Sequence, residues 1–245
     1  MSSRRIRNCR GVCLIEVLIA LAAGMVVLAA TLQSLDHFER RLSKQHVAAA
    51  RTQDLRIGLK VLEDEMRAAG TASSPSDPPL AVADRQEIEF DANLGGLVTA
   101  LTAPVSSVQQ ELPVVNGSGW PKGKRVLVCD REHCAEGRLA RDGHKVLLSI
   151  AAPLEREFPA GSEVRVANRV RYYVKTDRKG PSRVMREVDG GANPLIGEIA
   201  RFQFSYFNRD GAPTTDPLRV ARVRVEAAAA EAPVPVIREI GLRGP

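Results

Sequence analysis

The first residue whose chemistry needs an explanation is Glu16, a carboxylate inside an otherwise apolar segment. The segment runs from Val12 to Leu35 and has Glu16 as its only charged residue. A carboxylate in lipid is costly unless it is neutralised, paired or able to reach the membrane surface. Glu16 is therefore either a tolerated charge that reaches the interface or a functional group with a cationic partner. The residue type alone leaves both interpretations open.

A cationic partner for Glu16 would arise if the chain were cut between Gly11 and Val12. Cleavage there would create an α-amino group, which is largely protonated at neutral pH, about one helical turn from Glu16. That amine could pair with Glu16 of its own chain or of a neighbour with an axial offset. Because a wrong offset would leave both charges unpaired, the pair would set the register between packed helices.

Cys129 and Cys134, in the sequence "CDREHC", are the second pair of residues that could do chemistry. A disulfide that closes this short loop would be natural in an oxidising compartment, and we prefer this interpretation. Two free thiols are one alternative. A Zn²⁺ site is another, but besides the two cysteines it would need His133 and a fourth ligand, for which His144 is a candidate.

The remaining polar motifs do not match the spacing of a known site. The stretch "GSGWPKGKR" lacks the residue spacing of a phosphate-binding loop, and we interpret Trp120 within it as a core residue. The stretch "NRDGAPTTD" is interpreted as a turn, because it lacks the spacing of calcium-binding loops. The hydrolase and metalloprotease motifs G-x-S-x-G and H-E-x-x-H are absent from the sequence. We expect no enzymatic activity, no cofactor and no metal.

The element that must position Glu16 is one long helix. All fifteen prolines of the chain lie at or after Pro75, and Gly58 is the only glycine between Gly24 and Gly70. A segment so free of residues that break helices predicts one helix over residues 12–69. Gly70 is a suitable residue to end it.

The second part of this helix, residues 36–70, is predicted to be amphipathic. Its apolar residues recur at steps of four and three, so they share one face. They are Leu55, Leu59, Leu62, Met66 and Ala69. Residues 71–79 are rich in proline and serine and predict a linker.

Between residue 80 and residue 245, seven stretches alternate apolar and polar residues with a period of two, and we expect each to be a strand. They are "QEIEF", "KRVLVC", "HKVLLSI", "SEVRVANRVRYYV", "SRVMREV", "RFQFSYF" and "RVARVRVEA". This pattern, with Asp-Gly turn signals at 142, 189 and 210, predicts an antiparallel, β-rich domain with one buried face. The apolar face of the helix is the expected cover for it. The predicted fold class is therefore α+β, with one long N-terminal helix packed on a β-rich C-terminal domain.

The positive charge of the chain is concentrated before Gly11. The formal net charge is +6, but four arginines lie in the first ten residues, and the rest of the chain has 31 basic and 29 acidic residues. This distribution gives no support to a nucleic-acid partner. It predicts a single-pass membrane protein with a cytoplasmic N-terminus, spanning with residues 12–35.

The N-terminal residues "RGVCLIEVLIALAAG" resemble the type IV prepilin signature, in which a basic leader and a glycine precede an apolar run with glutamate at the fifth mature position. The resemblance implies a leader of residues 1–11, cleavage between Gly11 and Val12 by a prepilin peptidase, and N-methylation of Val12. It also implies a pilin-like fold and an assembly role for Glu16. Val12 and Cys13 stand where the family usually has Phe and Thr.

Four later segments, "LKVLEDEMRAAG", "VRYYV", "SRVMREV" and "IARFQFSYFNRDG", resemble the PilW-type minor pilins and, more distantly, the minor pseudopilin J of type II secretion. The resemblance implies a structural subunit of a pilus tip or initiation complex. Its expected partners are other minor pilins, the major pilin, the prepilin peptidase and the inner-membrane assembly platform. The expected location is the inner membrane, with a periplasmic C-terminal domain, and then the extracellular pilus tip.

Two other functions stay open at this point. The first is a minor pseudopilin of a type II secretion system, which would carry the same N-terminal signature. The second is an uncleaved, signal-anchored periplasmic binding protein or enzyme, which would keep residues 1–11.

Overall fold

The computed structural model describes residues 14–74, 77–178, 180–230 and 234–242. The chain divides into two compact units, one comprising the N-terminal part up to Ala50 and the other beginning at Arg51. A single α-helix, α1 (Leu14–Met66), contributes to both units. The second unit adds an antiparallel β-domain, so the predicted α+β class is confirmed.

The end of α1 differs from the sequence prediction by three residues. The helix ends at Met66, where we expected Ala69. The amide of Ala69 bonds to the carbonyl of Met66 at 3.1 Å, which tightens the chain into a turn. Gly70 then adopts a φ of 79°, and its amide donates to the carbonyl of Asp91 at 2.9 Å. Gly70 thus has its predicted helix-ending role, because the left-handed conformation favours glycine.

The strands of the described chain follow α1 without a further α-helix. They are β1 (Val82–Ala83), β2 (Glu87–Ala92), β3 (Val98–Ala100), β4 (Glu111–Pro113), β5 (Arg125–Cys129), β6 (Cys134–Arg138), β7 (Leu147–Ser149), β8 (Glu163–Thr176), β9 (Ser182–Val188), β10 (Gly191–Phe207), β11 (Arg222–Ala229) and β12 (Val236–Gly241). A short 3₁₀ helix, Pro217–Arg219, precedes β11. Each pair of neighbouring strands is antiparallel, as predicted.

The strands form one large sheet and one small one. The main path of the ten-stranded sheet is β1-β2-β8-β9-β10-β11-β12, while β3 and β5 also pair with β8, and β6 pairs with β5. Strands β4 and β7 make the two-stranded sheet. The long strand β8 therefore links the part of the sheet under α1 to the part built from β3, β5 and β6.

The second unit has two hydrophobic cores. In the first, the apolar face of α1 packs on the main path of the sheet, and all five residues predicted for that face are at most 2% exposed. The second core lies between β3 and the first half of β8 in chain order and contains Trp120, which is 2% exposed. The interpretation of Trp120 as a core residue is confirmed.

Alternation located most long strands but not all of them. The short strands β1, β3 and β4 and the longer strands β6 and β12 were not predicted, and "HKVLLSI" forms only the three-residue strand Leu147–Ser149. The sequence of β6 is "CAEGR", which has no β-branched or aromatic residue, so its strand form depends on pairing with β5. Asp189 and Gly190 have φ of 51° and 88°, the pattern of the tight hairpin turn that their sequence predicts.

Candidate functional site

Glu16 lies in the first turn of α1, two residues after the first described residue. Every side chain of the helix from Leu14 to Ala50 is exposed, and the next charged residue after Glu16 is Asp36. A carboxylate in the first helical turn is favoured by the positive end of the helix dipole. The structure thus places Glu16 on a helix surface that is apolar on all sides.

The exposed apolar residues of this first half surround the helix axis. Among the described helices, α1 is long and apolar enough to cross a membrane. A helix that is apolar all round needs an apolar environment on every side, either lipid or other helices. The side chains that create this demand include Leu14, Ile15, Leu18, Ile19, Leu21, Met25, Val26, Val27, Leu28, Leu32 and Leu35.

The cleavage-site residues Gly11 and Val12 lie outside the described residues. The pairing of Glu16 with the amine of Val12 is therefore still a prediction. The same holds for the proposed cut and the methylation of Val12.

A polar cluster joins the last turns of α1 to the sheet. Tyr172 on β8 donates its hydroxyl hydrogen bond to Oε2 of Glu65, and Arg186 on β9 binds the same carboxylate with two nitrogens. The Arg186 Nε–Oε2 distance is 2.9 Å, and the Nη2–Oε1 distance is 2.5 Å. We call Glu65, Tyr172 and Arg186 the docking triad. A forked guanidinium–carboxylate pair fixes direction as well as distance, so the triad sets how the helix lies on these strands.

Burial and mutual contact keep the members of the docking triad in the protonation states that bond to one another. Burial, with the hydrogen bond to Glu65, raises the pKa of Tyr172 above its ordinary value. The Glu65 carboxylate likewise raises the pKa of Arg186. Both effects keep the phenol protonated and the guanidinium charged, the forms that donate to Glu65.

The backbones of α1 and β10 also come close together where the helix packs on the sheet. A Cβ atom built on Gly58 would lie 2.3 Å from Cγ1 of Ile196 on β10 and 3.3 Å from the carbonyl oxygen of Leu195. The glycine therefore lets β10 cross α1 at short distance. Arg51, where the second unit begins, forms an ion pair with Glu198 of the same strand.

A charged groove lies on another part of the sheet, and most of its cations have acidic partners. Lys124 contacts Asp189 at 2.7 Å, and Arg171 contacts Glu87 at 2.7 Å. The described residues that line the groove are Glu89, Lys122, Gly123, Lys124, Arg125, Arg138, Arg169, Arg171, Glu187, Asp189 and Gly190. This mixed, paired surface gives no concentration of unpaired positive charge at which an anion would bind.

Cys129 and Cys134 form the predicted disulfide. They face each other at the end of the β5–β6 hairpin, with Cα atoms 4.1 Å apart. The structure therefore favours the disulfide over the free-thiol and zinc alternatives. Closing so short a loop contributes only about 2 kcal/mol to the free energy of unfolding.

The other residues weighed for metal binding do not converge. No group of three or more His, Cys, Asp or Glu side chains within the described ranges has a geometry that could hold a metal ion. His133 lies 3.9 Å from the Asp130 carboxylate at the hairpin tip. Asn208 accepts the amide of Ala212 through its side chain and caps a turn, as the interpretation of "NRDGAPTTD" required.

Comparison of the chain with protein-family models, with curated proteins and with solved structures finds no significant match.

Sequence reasoning missed the docking triad. Glu65 lies beside the predicted apolar face, between Leu62 and Met66, and was assigned no role from the sequence. Tyr172 and Arg186 belong to strands that were predicted, but the register that brings them together, Tyr172 opposite Arg186, is set by β8–β9 pairing. The sequence did contain one sign of the docking triad: a carboxylate lies beside an apolar helix face, and the strands expected to cover that face carry many arginines.

Proposed function

We propose that this protein is a minor type IV pilin, a structural subunit of a pilus tip or initiation complex that promotes pilus assembly. The observation that carries the proposal is the course of α1. One uninterrupted helix of 53 residues first presents an exposed apolar surface with Glu16 in its first turn, and then supplies the face that packs on the β-domain. Such a helix can reside in a membrane or among other helices while it carries a folded domain.

The position of Glu16 supports an assembly role over simple membrane anchoring. An anchor gains nothing from a carboxylate in an apolar helix, because burying the charge opposes insertion. A subunit that must stack in one register gains specificity from it, since only one axial offset pairs the carboxylate with an amine. In the proposal, that amine is the new N-terminus of Val12, in the same chain or in a neighbouring subunit.

The second line of support is that the four segments that resemble PilW-type minor pilins lie together in the structure. Glu65, Tyr172 and Arg186 lie in three of those segments, and the fourth contributes Phe202 and Phe204 to the core under α1. Segments far apart in the chain thus form one unit, the junction of helix and sheet. In the proposal, this junction transmits the position of the helix in the filament to the exposed domain.

Processing is the first test. The protein is expressed in cells with a prepilin peptidase and extracted from the membrane, and its intact mass is measured by mass spectrometry. We expect a mature N-terminus at Val12, with the mass of one added methyl group, and an uncut precursor when Gly11 is replaced by Leu. Filament-associated protein that retains Met1 or Ser2 would contradict the proposal and favour an uncleaved, signal-anchored protein. A processed protein found only in a short periplasmic filament would favour a type II secretion pseudopilin.

The role of Glu16 is the second test, with Glu16→Gln as the variant. The amide has nearly the shape of the carboxylate but cannot form the charge pair, whose disruption typically costs about 3–5 kcal/mol when buried. We expect a processed, membrane-resident subunit that co-purifies poorly with partner pilins.

Asp36→Asn is the matched control for Glu16→Gln. Asp36 pairs with Arg40 at 2.9 Å on an exposed part of the same helix, and exposed pairs contribute little. This variant should co-purify normally. Equal co-purification of both variants with wild-type protein would show that the Glu16 carboxylate is incidental.

A further inference from the structure

The disulfide between Cys129 and Cys134 has two unequal ends. Cys129 is buried, with 7% of its surface exposed, whereas Cys134 is only partly buried. Arg165 on β8 donates from Nη2 to Sγ of Cys129 at 3.4 Å. An incoming molecule therefore meets Cys134 more readily, while a cation lies against the other sulfur.

Arg165 is held in this position by a second contact. Its Nη1 lies 3.3 Å from Oε1 of Glu163, two residues away on the same strand, and its side chain is 21% exposed. The two terminal nitrogens thus divide between a carboxylate and a sulfur. A guanidinium that is mostly buried beside a sulfur stabilises the thiolate form of that sulfur.

The hairpin tip stays closed through bonds that do not involve the disulfide. Oδ1 of Asp130 accepts the amides of Glu132 and His133 at 2.8 and 2.7 Å, and the amide of Asp130 donates to the carbonyl of His133 at 2.9 Å. These amide bonds lower the pKa of Asp130, so the carboxylate stays ionised and the turn persists at neutral pH. After the S–S bond breaks, the two sulfurs would therefore remain close together.

We propose that this disulfide is a site of thiol–disulfide exchange in which the attacked sulfur is always that of Cys134 and the leaving sulfur is always that of Cys129. An incoming thiolate attacks Sγ of Cys134, the Cys129–Cys134 bond breaks, and Cys129 leaves as a thiolate beside Arg165. A mixed disulfide then joins the incoming sulfur to Cys134. In the reverse direction the Cys129 thiolate attacks Cys134 and expels the other thiolate. No net oxidation occurs in either direction, and the co-reactant is a small thiol or the dithiol of an oxidoreductase.

The choice of the attacked sulfur depends on which cysteine is the better leaving group. In thiol–disulfide exchange, the sulfur whose thiolate is more stable leaves faster, at comparable access to both sulfurs. Residue exposure and leaving-group stability both favour attack on Cys134, because Cys134 is the more exposed residue and the sulfur of Cys129 is the one that contacts Arg165. A groove lined by Cys129, Pro159 and Ser162 gives the opposite route, attack on Cys129, and the experiment distinguishes the two.

The test uses the full-length protein in detergent micelles and β-mercaptoethanol, a small thiol whose only charge is that of the attacking thiolate. The mixed disulfide is trapped by rapid acidification and alkylation with N-ethylmaleimide, and the adducts are located by peptide mass spectrometry. We expect mercaptoethanol on Cys134 and maleimide on Cys129. The reverse distribution, or equal amounts on both residues, would overturn the proposal.

The contribution of Arg165 is measured with Arg165→Met and Arg165→Lys. We expect Arg165→Met to slow the exchange by about three- to tenfold, because the leaving thiolate loses its cation, and Arg165→Lys to recover much of the rate. Arg131→Met is the matched control, since Arg131 is an exposed cation at the same hairpin tip, whereas the described hydrogen bond to Sγ of Cys129 comes from Arg165. An equal effect of Arg165→Met and Arg131→Met would contradict the proposal.

Single-cysteine variants keep the test decisive if Arg165→Met fails to fold. In Cys134→Ser, the remaining Cys129 should be alkylated by iodoacetamide at half-maximal rate at a lower pH than Cys134 in Cys129→Ser. The same pH for both cysteines would show that Arg165 does not stabilise the Cys129 thiolate.

Discussion

The two halves of α1 use apolar residues for opposite purposes. In the first half, which ends at Ala50, the apolar side chains of residues 14–35 surround the axis and are exposed, whereas from Arg51 onward most apolar side chains occupy one face and are buried, with Ile57 left exposed. Each half also carries a distinctive glutamate: Glu16 in the apolar surface and Glu65 in the docking triad. The comparison teaches that the distribution of apolar residues around a helix specifies what must cover it, since a single stripe needs one sheet and a full circumference needs lipid or a bundle.

The largest difference between the halves is expected for leucine truncation. Leu62 is 0% exposed under the sheet, and Leu28 is 64% exposed. Leu62→Ala should lower the free energy of unfolding of the β-domain by about 2–5 kcal/mol, because it loses buried surface and leaves a cavity. Leu28→Ala should change it by less than about 0.5 kcal/mol. Urea unfolding in detergent, followed by the circular dichroism of the sheet, gives both values, and similar losses for the two variants would break the comparison.

The two glutamates provide the next contrast. Glu65→Gln removes a carboxylate from between Tyr172 and Arg186 and leaves the guanidinium partly buried, so we expect a loss of about 1.5–3 kcal/mol in the same unfolding measurement. Glu16→Gln should leave the unfolding of the β-domain unchanged and, under the proposed function, impair only co-purification with the partner subunits.

Glu63→Gln is the control for the docking triad. Glu63 forms an ion pair with Arg67 one helical turn later, with Arg67 largely exposed. Such helical pairs contribute about 0.3–0.5 kcal/mol. A loss for Glu65→Gln as small as that for Glu63→Gln would mean that the triad does not hold the helix on the sheet.

How far the sequence predicts this structure also differs along the chain. The five residues of the buried α1 face, the end near Gly70 and the Asp189-Gly190 turn were predictable because each depends on local periodicity or on glycine stereochemistry. The docking triad was not, since it needs the register of β8 against β9 and the position of the helix over both. Strand β6 was missed because its form depends on a partner strand and not on its own residues. The disulfide was predicted from the short cysteine spacing and the expected oxidising compartment, but the contact of Arg165 with Cys129 required the β5–β8 pairing.

The two glycines inside α1 give a smaller contrast. A Cβ on Gly24 would meet no atom within 4 Å, whereas one on Gly58 would overlap Ile196. Gly24→Ala should therefore raise helix stability by about 1 kcal/mol. Gly58→Ala gains the same amount but suffers overpacking of about 1–3 kcal/mol, for a net loss of about 1 kcal/mol. Thermal melts of helical circular dichroism in which both variants gain stability would show that β10 yields to the added methyl group.

The smallest expected effect is a pH dependence that originates where Tyr172 on β8 bonds to Glu65 in the second half of α1. Burial and the hydrogen bond to Glu65 raise the pKa of Tyr172, while a tyrosine in the unfolded chain titrates near pH 10. Above that pH the unfolded chain loses a proton that the folded protein keeps, so the stability that is fully present below pH 10 is lost as the pH rises. For one such group the loss is about 1 kcal/mol by pH 10.5.

Tyr172→Phe tests this dependence. The variant loses the hydrogen bond to Glu65 and should be less stable at neutral pH, but its stability should fall less steeply than that of the wild type above pH 10. Burial, with the nearby Asp84, also raises the pKa of Tyr206, so Tyr172→Phe should reduce the slope and Tyr172→Phe combined with Tyr206→Phe should reduce it further. Urea unfolding at a series of pH values checks both variants. If the free energy of unfolding of Tyr172→Phe fell with pH as steeply as that of the wild type, Tyr172 would ionise in the folded protein. Water would then reach its hydroxyl group at the junction of α1 and the sheet.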